Sequence, residues 1–345
     1  MPRLVLAIET SCDDTAAAVV ADGRRALSSV IAAQEVHREF GGVVPELASR
    51  AHLDLLPRTV ERALEEAGCA VEDVDAVCVT RGPGLLGALL VGVAYAKGLA
   101  LAAGKPILGV NHIESHIWAS VLDGADPPRP FVGAAVSGGH SEFLLVRDFG
   151  EYEFFGSTRD DAAGEAYDKI GKLLGLGFPG GPAIDRLAAG GNPRSFDLPR
   201  AMLDSDDFDV SFSGLKTAVR RTVGERTPPF DGRWLADLCA SFQAAVVETL
   251  TTKLVRLAHA TGAKAIVLGG GVACNLGLRA ALADEANALG IPVIFPAPRW
   301  CTDNAAMIGV VGARRFDAGE RSGDDLEPVA TLEEMGFARS AETAR

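Results

Sequence analysis

Aromatic residues are scarce. They make up 6% of the chain, with three Trp and three Tyr, so the core must be built mostly from Ala, Val, Leu and Ile, as in α/β proteins. Basic residues are also short: 33 Lys plus Arg face 46 Asp plus Glu, a formal charge of −13. Taken alone, that balance argues against non-specific nucleic-acid binding, which runs on phosphate neutralisation. Any contact with nucleic acid needs a local basic patch, or a partner that brings one. The six cysteines (Cys12, Cys69, Cys78, Cys239, Cys274, Cys301) include no CxxC pair and read as reduced thiols of a cytosolic protein. No secretory leader is evident, because residues 1–8 are too short for an apolar core and Asp13 and Asp14 follow closely. Residues 85–103 are the one membrane-like stretch. Its uninterrupted apolar part ends at Lys97, and its small residues suit a buried helix rather than a membrane span.

Two nucleotide fingerprints are missing as well. The Arg81-Gly82-Pro83-Gly84 turn lacks the Gly-Lys-Ser/Thr ending of a Walker loop, and Gly269-Gly270-Gly271 is not GxGxxG. What is present is a 345-residue chain, 48% hydrophobic, with 39 glycines for tight turns. That length predicts about two domains. Residues 4–10 predict a buried strand, followed by a polar turn at Ser11-Cys12-Asp13-Asp14-Thr15 and a second strand from 16 to 21. Residues 27–33 predict a third strand. Helices are expected over 45–67, broken or restarted at Pro57. Strand 74–80, helix 85–103 and strand 106–110 form a right-handed parallel crossover. Phe131 to Val146 repeats the strand-turn-strand plan of residues 4–21, which hints at two domains of common design. Helices are expected over 160–175, near 214–223 and over 235–261. Strands are expected at 265–268 and 293–295, and a last helix at 304–316. Residues 190–235 read as an irregular surface insertion. From Gly319 onward the chain reads as polar, acidic and loose.

The chemistry concentrates in residues 110–146. His112 and His116 stand at i and i+4 on one helix face, with Cβ atoms roughly 5–6 Å apart. They lie just past the carboxyl end of a strand, where open α/β sheets place ligands. Such a pair is either a metal site or a polar helix face. It is not the zinc-protease signature, because Ile113 holds the place of the required acid and Glu114 comes one residue late. Ser137-Gly138-Gly139-His140 joins two apolar runs. It is either a plain tight turn or a tip whose bare amides meet an anion. Asp168 pairs with Lys172 at i+4 or serves a ligand. Thr302 or Asp303 caps the last helix, or Asp303 does chemistry. Asn275, after the three glycines, offers both a donor and an acceptor to a ligand. Lys216, Arg220 and Arg221 form a modest basic face.

Eight segments stand in the order of one family. They are Ile8-Glu9-Thr10-Ser11-Cys12-Asp13, Gly42-Val43-Val44-Pro45-Glu46, Asn111-His112-Ile113-Glu114-Ser115-His116, Val136-Ser137-Gly138-Gly139-His140, Gly164-Glu165-Ala166-Tyr167-Asp168-Lys169 with Phe212-Ser213-Gly214-Leu215-Lys216, Gly269-Gly270-Gly271-Val272, and Cys301-Thr302-Asp303-Asn304. To about residue 316 the chain resembles the bacterial tRNA N6-adenosine threonylcarbamoyltransferases, once described as O-sialoglycoprotein endopeptidases. The resemblance implies an α/β, actin-like ATPase fold of two related domains flanking a nucleotide-binding cleft. The first would span 1–130 and be completed by helix 304–316. The second would span 131–303, with a helical insertion at about 155–235, leaving 317–345 as an acidic tail.

The resemblance implies transfer of threonylcarbamoyl from threonylcarbamoyl-AMP to N6 of adenosine 37 in tRNAs reading codons that begin with A. It implies iron(II), with zinc(II) as the substitute, held by His112, His116 and Asp303, a ligand set that also suits non-haem iron on coordination grounds. It implies substrate binding by Val136, Ser137, Gly138, Gly139, His140, Asp168, Gly181, Asp185 and Asn275. It names no general base. The implied partners are tRNA, a paralogous inactive subunit and a small P-loop ATPase in the cytoplasm, with no membrane. Two departures stand out: Asp14 replaces the usual Glu, and Ala135 stands where some archaeal relatives have a metal-binding Tyr. The rival readings are an actin-fold small-molecule kinase or ATPase, a metalloprotease and a non-catalytic scaffold.

Overall fold

Apolar runs short enough for strands and flanked by turn residues place a sheet at the centre of each half of the chain. The structure, a computed structural model, describes residues 2–224 and 226–331. It divides into two units. Among the described residues, one takes those up to Asp126 and 296–331, and the other is Pro127–Phe295. Asp303 therefore belongs to the first unit.

The first unit begins with β1 (Leu4–Glu9), β2 (Asp14–Ala21) and β3 (Arg25–Ala33), then α1 (His37–Phe40) and α2 (Pro45–Ala67). It continues with β4 (Ala76–Gly82), α3 (Leu86–Ala103), β5 (Ile107–Asn111) and α4 (His112–Trp118). The second unit holds β6 (Phe131–Val136), β7 (Ser141–Asp148), β8 (Glu151–Ser157), α5 (Ala163–Leu173) and α6 (Gly180–Ala188). It is completed by α7 (Ser213–Val223), α8 (Gly232–Thr261), β9 (Ile266–Gly269), α9 (Leu276–Ala288) and β10 (Val293–Ile294). The chain then returns to the first unit as α10 (Pro298–Cys301) and α11 (Ala305–Asp317).

The two sheets have one plan. Their orders are β3-β2-β1-β4-β5 and β10-β9-β6-β7-β8. In each, the central strand runs antiparallel to the next strand in sequence and parallel to a later one. The central strands β1 and β6 are almost wholly buried. In the first unit Leu6, Ile8, Val19, Leu56, Val60, Val77 and Val93 share one core, each contributing about 1.5–3 kcal/mol by leaving water. Helix α11 lies tight on this sheet. A Cβ at Gly312 would collide with the Cys78 side chain of β4.

Several expectations need correction. Helix α2 is continuous through Pro57. Proline frees the carbonyl four residues back, here that of Leu53, whose residue is 62% exposed, so water can take the bond. The packed positions Ala48, His52, Leu56, Val60 and Ala63 hold the helix on both sides of the break. Helix α3 is not fully buried. Its Ala88-Gly92-Ala96-Ala100 stripe packs inward, while Leu86, Leu90 and Leu101 are exposed. Among the described residues it alone is long and apolar enough to cross a membrane, yet it packs on α2 and β4. Leu53, Leu56, Leu90, Val91, Ala94, Tyr95 and His52 line a hollow of about 310 Å³ there.

The stretch 190–235 is less loose than its polarity suggests. Leu198, Val210 and Phe212 are buried, and Val210 bridges to Thr158. Helix α8 starts at Gly232 rather than 235, because Asp231 accepts the amides of Arg233 and Trp234. The segment 319–331 is not loose either. Leu326 and Val329 are buried, the Val329 amide donates to Arg81 O at 2.8 Å, and Ser322 bridges to Ile107. Two apolar anchors in an acidic stretch suffice to dock it. The expected tail over 332–345 lies outside the described residues.

Candidate metal centre and substrate cluster

Strand β5 ends at Asn111, and its side chain starts α4 by accepting the amides of Ile113 and Glu114 at 2.8 and 3.0 Å. Such a cap adds about 1 kcal/mol and fixes the first turn that carries His112. Both histidines are buried, with ring centroids 4.6 Å apart and nearly perpendicular. His112 Nδ1 faces Glu9 Oε2 at 2.9 Å and Ser11 Oγ at 3.2 Å. Glu9 itself is fully buried at the end of β1 and accepts from the Thr80 hydroxyl at 2.6 Å and from the Ser11 amide. A carboxylate on Nδ1 makes that nitrogen the N–H bearer, which leaves Nε2 with a lone pair for a cation.

Asp303 supplies the third group. Its expected role as a helix cap is not what the structure has, and neither is a Thr302 cap: Asn304 caps α11 through the Met307 amide at 3.0 Å. The Asn304 side-chain Nδ2 also donates to Thr302 O at 2.8 Å, which shapes the backbone beside Asp303. Asp123 anchors the approach by accepting from the Ala297 amide and the Trp300 indole. Asp303 Oδ1 ends 3.1 Å from His116 Nε2 and 3.6 Å from His112 Nε2. One ligand atom from each of the three residues lies within 4.8 Å of the others.

The electrostatics fit a cation. Burial disfavours the imidazolium of His112, but Glu9 and then Asp303 outweigh it and hold the ring up at about 9. Burial pushes His116 down despite its bond to Asp303. Asp14 rises to about 7, first from burial and then from Asp303, Asp13 and Glu9. At neutral pH the imidazolium of His112 answers these carboxylates, and a divalent ion that takes the place of its Nε2 proton would leave both rings neutral. Two neutral imidazoles with a carboxylate are donors that suit iron or zinc. Cys12 is not a thiolate donor here, since burial and then Asp13 push its thiol well up. Glu114 is fully buried and accepts from Arg315 of α11 at 2.8 Å. The acid nearest the place where a zinc protease would need one is thus held in an ion pair.

The substrate-binding candidates lie together in the second unit. The Ser137 amide donates to His140 O at 2.8 Å, while the amides of Gly139 and His140 make long bonds to Ser137 Oγ. The tip is therefore less bare than the sequence suggests. Gly164, at the start of α5, donates its amide to Ser137 O, and a Cβ there would sit 2.6 Å from that oxygen. Gly270 has φ of +91° and equally little room against Val136 O. Asp168 accepts the Gly180 amide at 2.7 Å, beside Gly181 at the start of α6. Asp185 accepts the Leu276 amide at 3.1 Å, and Asn275 caps α9 through the Leu278 amide at 2.8 Å. Helix N-termini favour such carboxylates.

Two side chains here were missed in the sequence. Gln243 links Asp185 to Asn275, and the Tyr167 hydroxyl stands next to both amides. A single Gln within the apolar run 242–247 is the signal for the first. For the second it is a Tyr beside Asp168. In the first unit Glu9 is the third such residue. A lone acid at the end of a buried strand marks it.

The comparisons with known proteins agree among themselves. A family model described as tRNA N6-adenosine threonylcarbamoyltransferase matches residues 25–310. A protein of that name from Geobacter sp. (strain M21) is 52% identical over 337 residues, covering 97% of this chain and 98% of its own. One from Anaeromyxobacter dehalogenans (strain 2CP-C) is 54% identical over 324 residues, 93% and 97%. Among solved structures, full-length HypF matches with a TM-score of 0.59 at 15% identity, over 93% of this chain and 47% of its own. Component A of the Acidaminococcus fermentans (R)-2-hydroxyglutaryl-CoA dehydratase matches with 0.54 at 17%, over 92% and 100%. These two carry the fold alone, which is the actin-like ATPase design.

Proposed function

Since the chain belongs to the tRNA N6-adenosine threonylcarbamoyltransferase family, we propose that its donor is threonylcarbamoyl-AMP and its acceptor N6 of adenosine 37 in tRNAs reading codons that begin with A. The observation that carries this reading is the meeting of His112, His116 and Asp303, 187 residues apart in sequence at the widest bond, in one buried cluster. We assign iron(II) to it, with zinc(II) as the substitute. Bound there, the ion supplies Lewis acidity and a template for the donor. His112, His116 and Asp303 would hold it, through their imidazoles and a carboxylate. Glu9 holds the Nδ1 proton of His112.

An adenine amine is a weak nucleophile because its lone pair is delocalised into the ring. The donor compensates as a mixed anhydride: the carbamoyl C–O bond breaks, the N6–C bond forms, AMP leaves and N6 loses a proton. The protein's share is holding the donor and stabilising charge on its carbonyl oxygen. Asp168, Asp185 and Asn275 are assigned to the ribose, threonyl and adenosine portions. Residues 136–140 and Gly181 are assigned to the phosphate and acyl end. The charge of −13 calls for help with tRNA, and we assign that help to a paralogous inactive subunit and a small P-loop ATPase in the cytoplasm. The apolar face left by Leu53, Leu90 and Leu101 supports a protein partner.

The test is to incubate the purified protein and these partners with threonylcarbamoyl-AMP and unmodified tRNA, then weigh the nucleosides. Threonylcarbamoyladenosine is expected. No such nucleoside, with phosphorylation of a metabolite instead, would move the chain to the small-molecule kinases. Cleavage of a glycoprotein would revive the protease reading, which the Glu114–Arg315 ion pair opposes.

A further inference from the structure

The second unit contains a side chain whose chemistry is dictated from both ends. Gln243 lies on α8 and is 9% exposed, among Leu238, Cys239, Phe242 and Val246. Its Nε2 donates to Asp185 Oδ1 at 2.9 Å, and its Oε1 accepts from Asn275 Nδ2 at 2.7 Å. The Tyr167 hydroxyl approaches the same Oε1 at 3.5 Å. Asp185, as a carboxylate, demands a donor. Asn275 has its own oxygen committed to the Leu278 amide, so its Nδ2 demands an acceptor. An amide of this length offers both at once. Glu offers only acceptors when ionised, Lys and Arg only donors, and Leu neither. The neighbouring backbone makes room for it: a Cβ at Gly277 would sit 2.7 Å from Gln243 Nε2.

From this we infer that Gln243 is a positioning residue for the adenylate donor, locking the Asp185 carboxylate and the Asn275 amide in one relative orientation. The inference rests on the assignment of Asp185 and Asn275 to the donor. It does not require Gln243 to touch the ligand. Without it, Asp185 keeps the Leu276 amide but loses its second tether, and Asn275 Nδ2 loses its short bond at 2.7 Å and keeps only the long one to the Tyr167 hydroxyl at 3.4 Å. Losing the short bonds that hold two buried polar groups weakens binding by about ten- to a hundredfold.

Steady-state transfer assays with the full set of partners, varying threonylcarbamoyl-AMP, test this. Gln243→Leu is expected to raise the donor KM by about ten- to a hundredfold while kcat changes by less than about threefold. Gln243→Glu keeps the shape but sets a second carboxylate against Asp185. The ionisable groups facing it are Asp185 on α6 and Tyr167 on α5, with Cys239 one turn away on α8. A protonated Glu can donate to Asp185 again, so the KM of this variant should fall toward that of the wild type as pH drops from about 8 to about 6. A purely structural Gln243 would lower the melting temperature without that pH-dependent KM. If Gln243→Leu does not fold, the pH profile of Gln243→Glu decides. A wild-type KM in Gln243→Leu, or a flat profile in Gln243→Glu, overturns the inference, provided Asp185→Ala and Asn275→Ala raise KM. If those two leave KM unchanged, the donor assignment itself fails, and the two failures stay distinct.

Discussion

The two units share a strand order but not the chemistry of their hairpin tips. From the last residue of β1 to the first of β2 the chain reads Glu9-Thr10-Ser11-Cys12-Asp13-Asp14, crowded with carboxylates. After β6 it reads Ser137-Gly138-Gly139-His140, without one. The strand at the parallel edge diverges too. Strand β5 runs directly into the helix carrying His112 and His116, while β10 runs into the return toward α10. Topology decides where a site can form, beyond the carboxyl ends of parallel strands. Tip composition decides which charge it suits: the first unit offers carboxylates and imidazoles, which suit a cation, and the second offers amides and a few hydrogen-bonded carboxylates, which under the proposed function would meet a phosphorylated donor.

Breaking one tip should spare the function of the other. The largest effect is expected from His112→Ala, which should lose bound metal and reduce transfer to background while nucleotide affinity, read by calorimetry with AMP, stays unchanged. Glu9→Gln should be milder. It keeps the shape around His112 Nδ1 and removes the charge, so metal affinity read by competition with a chelator should weaken about ten- to a hundredfold. Gly164→Ala addresses the second tip. The new methyl meets Ser137 O and the Gly138 amide at 2.6 and 2.8 Å, backbone atoms that cannot swing aside. Overpacking costs about 1–3 kcal/mol and about 1.4 kcal/mol is a factor of ten, so donor KM should rise about tenfold with metal content intact.

The smallest effect concerns stability. Burial alone would raise the carboxyl of Asp160, but the hydroxyls of Ser211 and Ser213 and the amides of Phe212 and Ser213 hold it below its ordinary 3.8. A folded value below the unfolded one means the stability it adds is complete above 3.8 and lost as pH falls through the folded value. Asp160→Ala should therefore lower the unfolding midpoint at neutral pH, with the gap to wild type closing in acid. A gap that persists below the folded value would assign the effect to packing instead.

Much of this layout is legible in the residues because it is local. The i, i+4 spacing of His112 and His116 puts both rings on one face whatever surrounds them. The apolar runs at 4–9 and 131–136 announce buried strands, and the repeated strand-turn-strand plan anticipates the shared sheet order. What resists reading is long-range. Asp303 meets His116 across 187 residues, and only family resemblance points to it. Gln243 looks like any polar residue in a long helix until Asp185 and Asn275 arrive from two other elements. Pro57 looks like a break because the packing that carries α2 past it is tertiary. Leu326 and Val329 look like stray apolar residues in an acidic stretch until β4, β5 and α3 are there to receive them.

Metal content tests the division of labour between the tips most directly. The protein should be purified without oxygen as wild type, His112→Ala and Gly164→Ala, and the bound metal measured by elemental mass spectrometry. The account predicts a stoichiometric divalent ion in the wild type and in Gly164→Ala and none in His112→Ala. Equal metal in all three, or loss from Gly164→Ala alone, would contradict it.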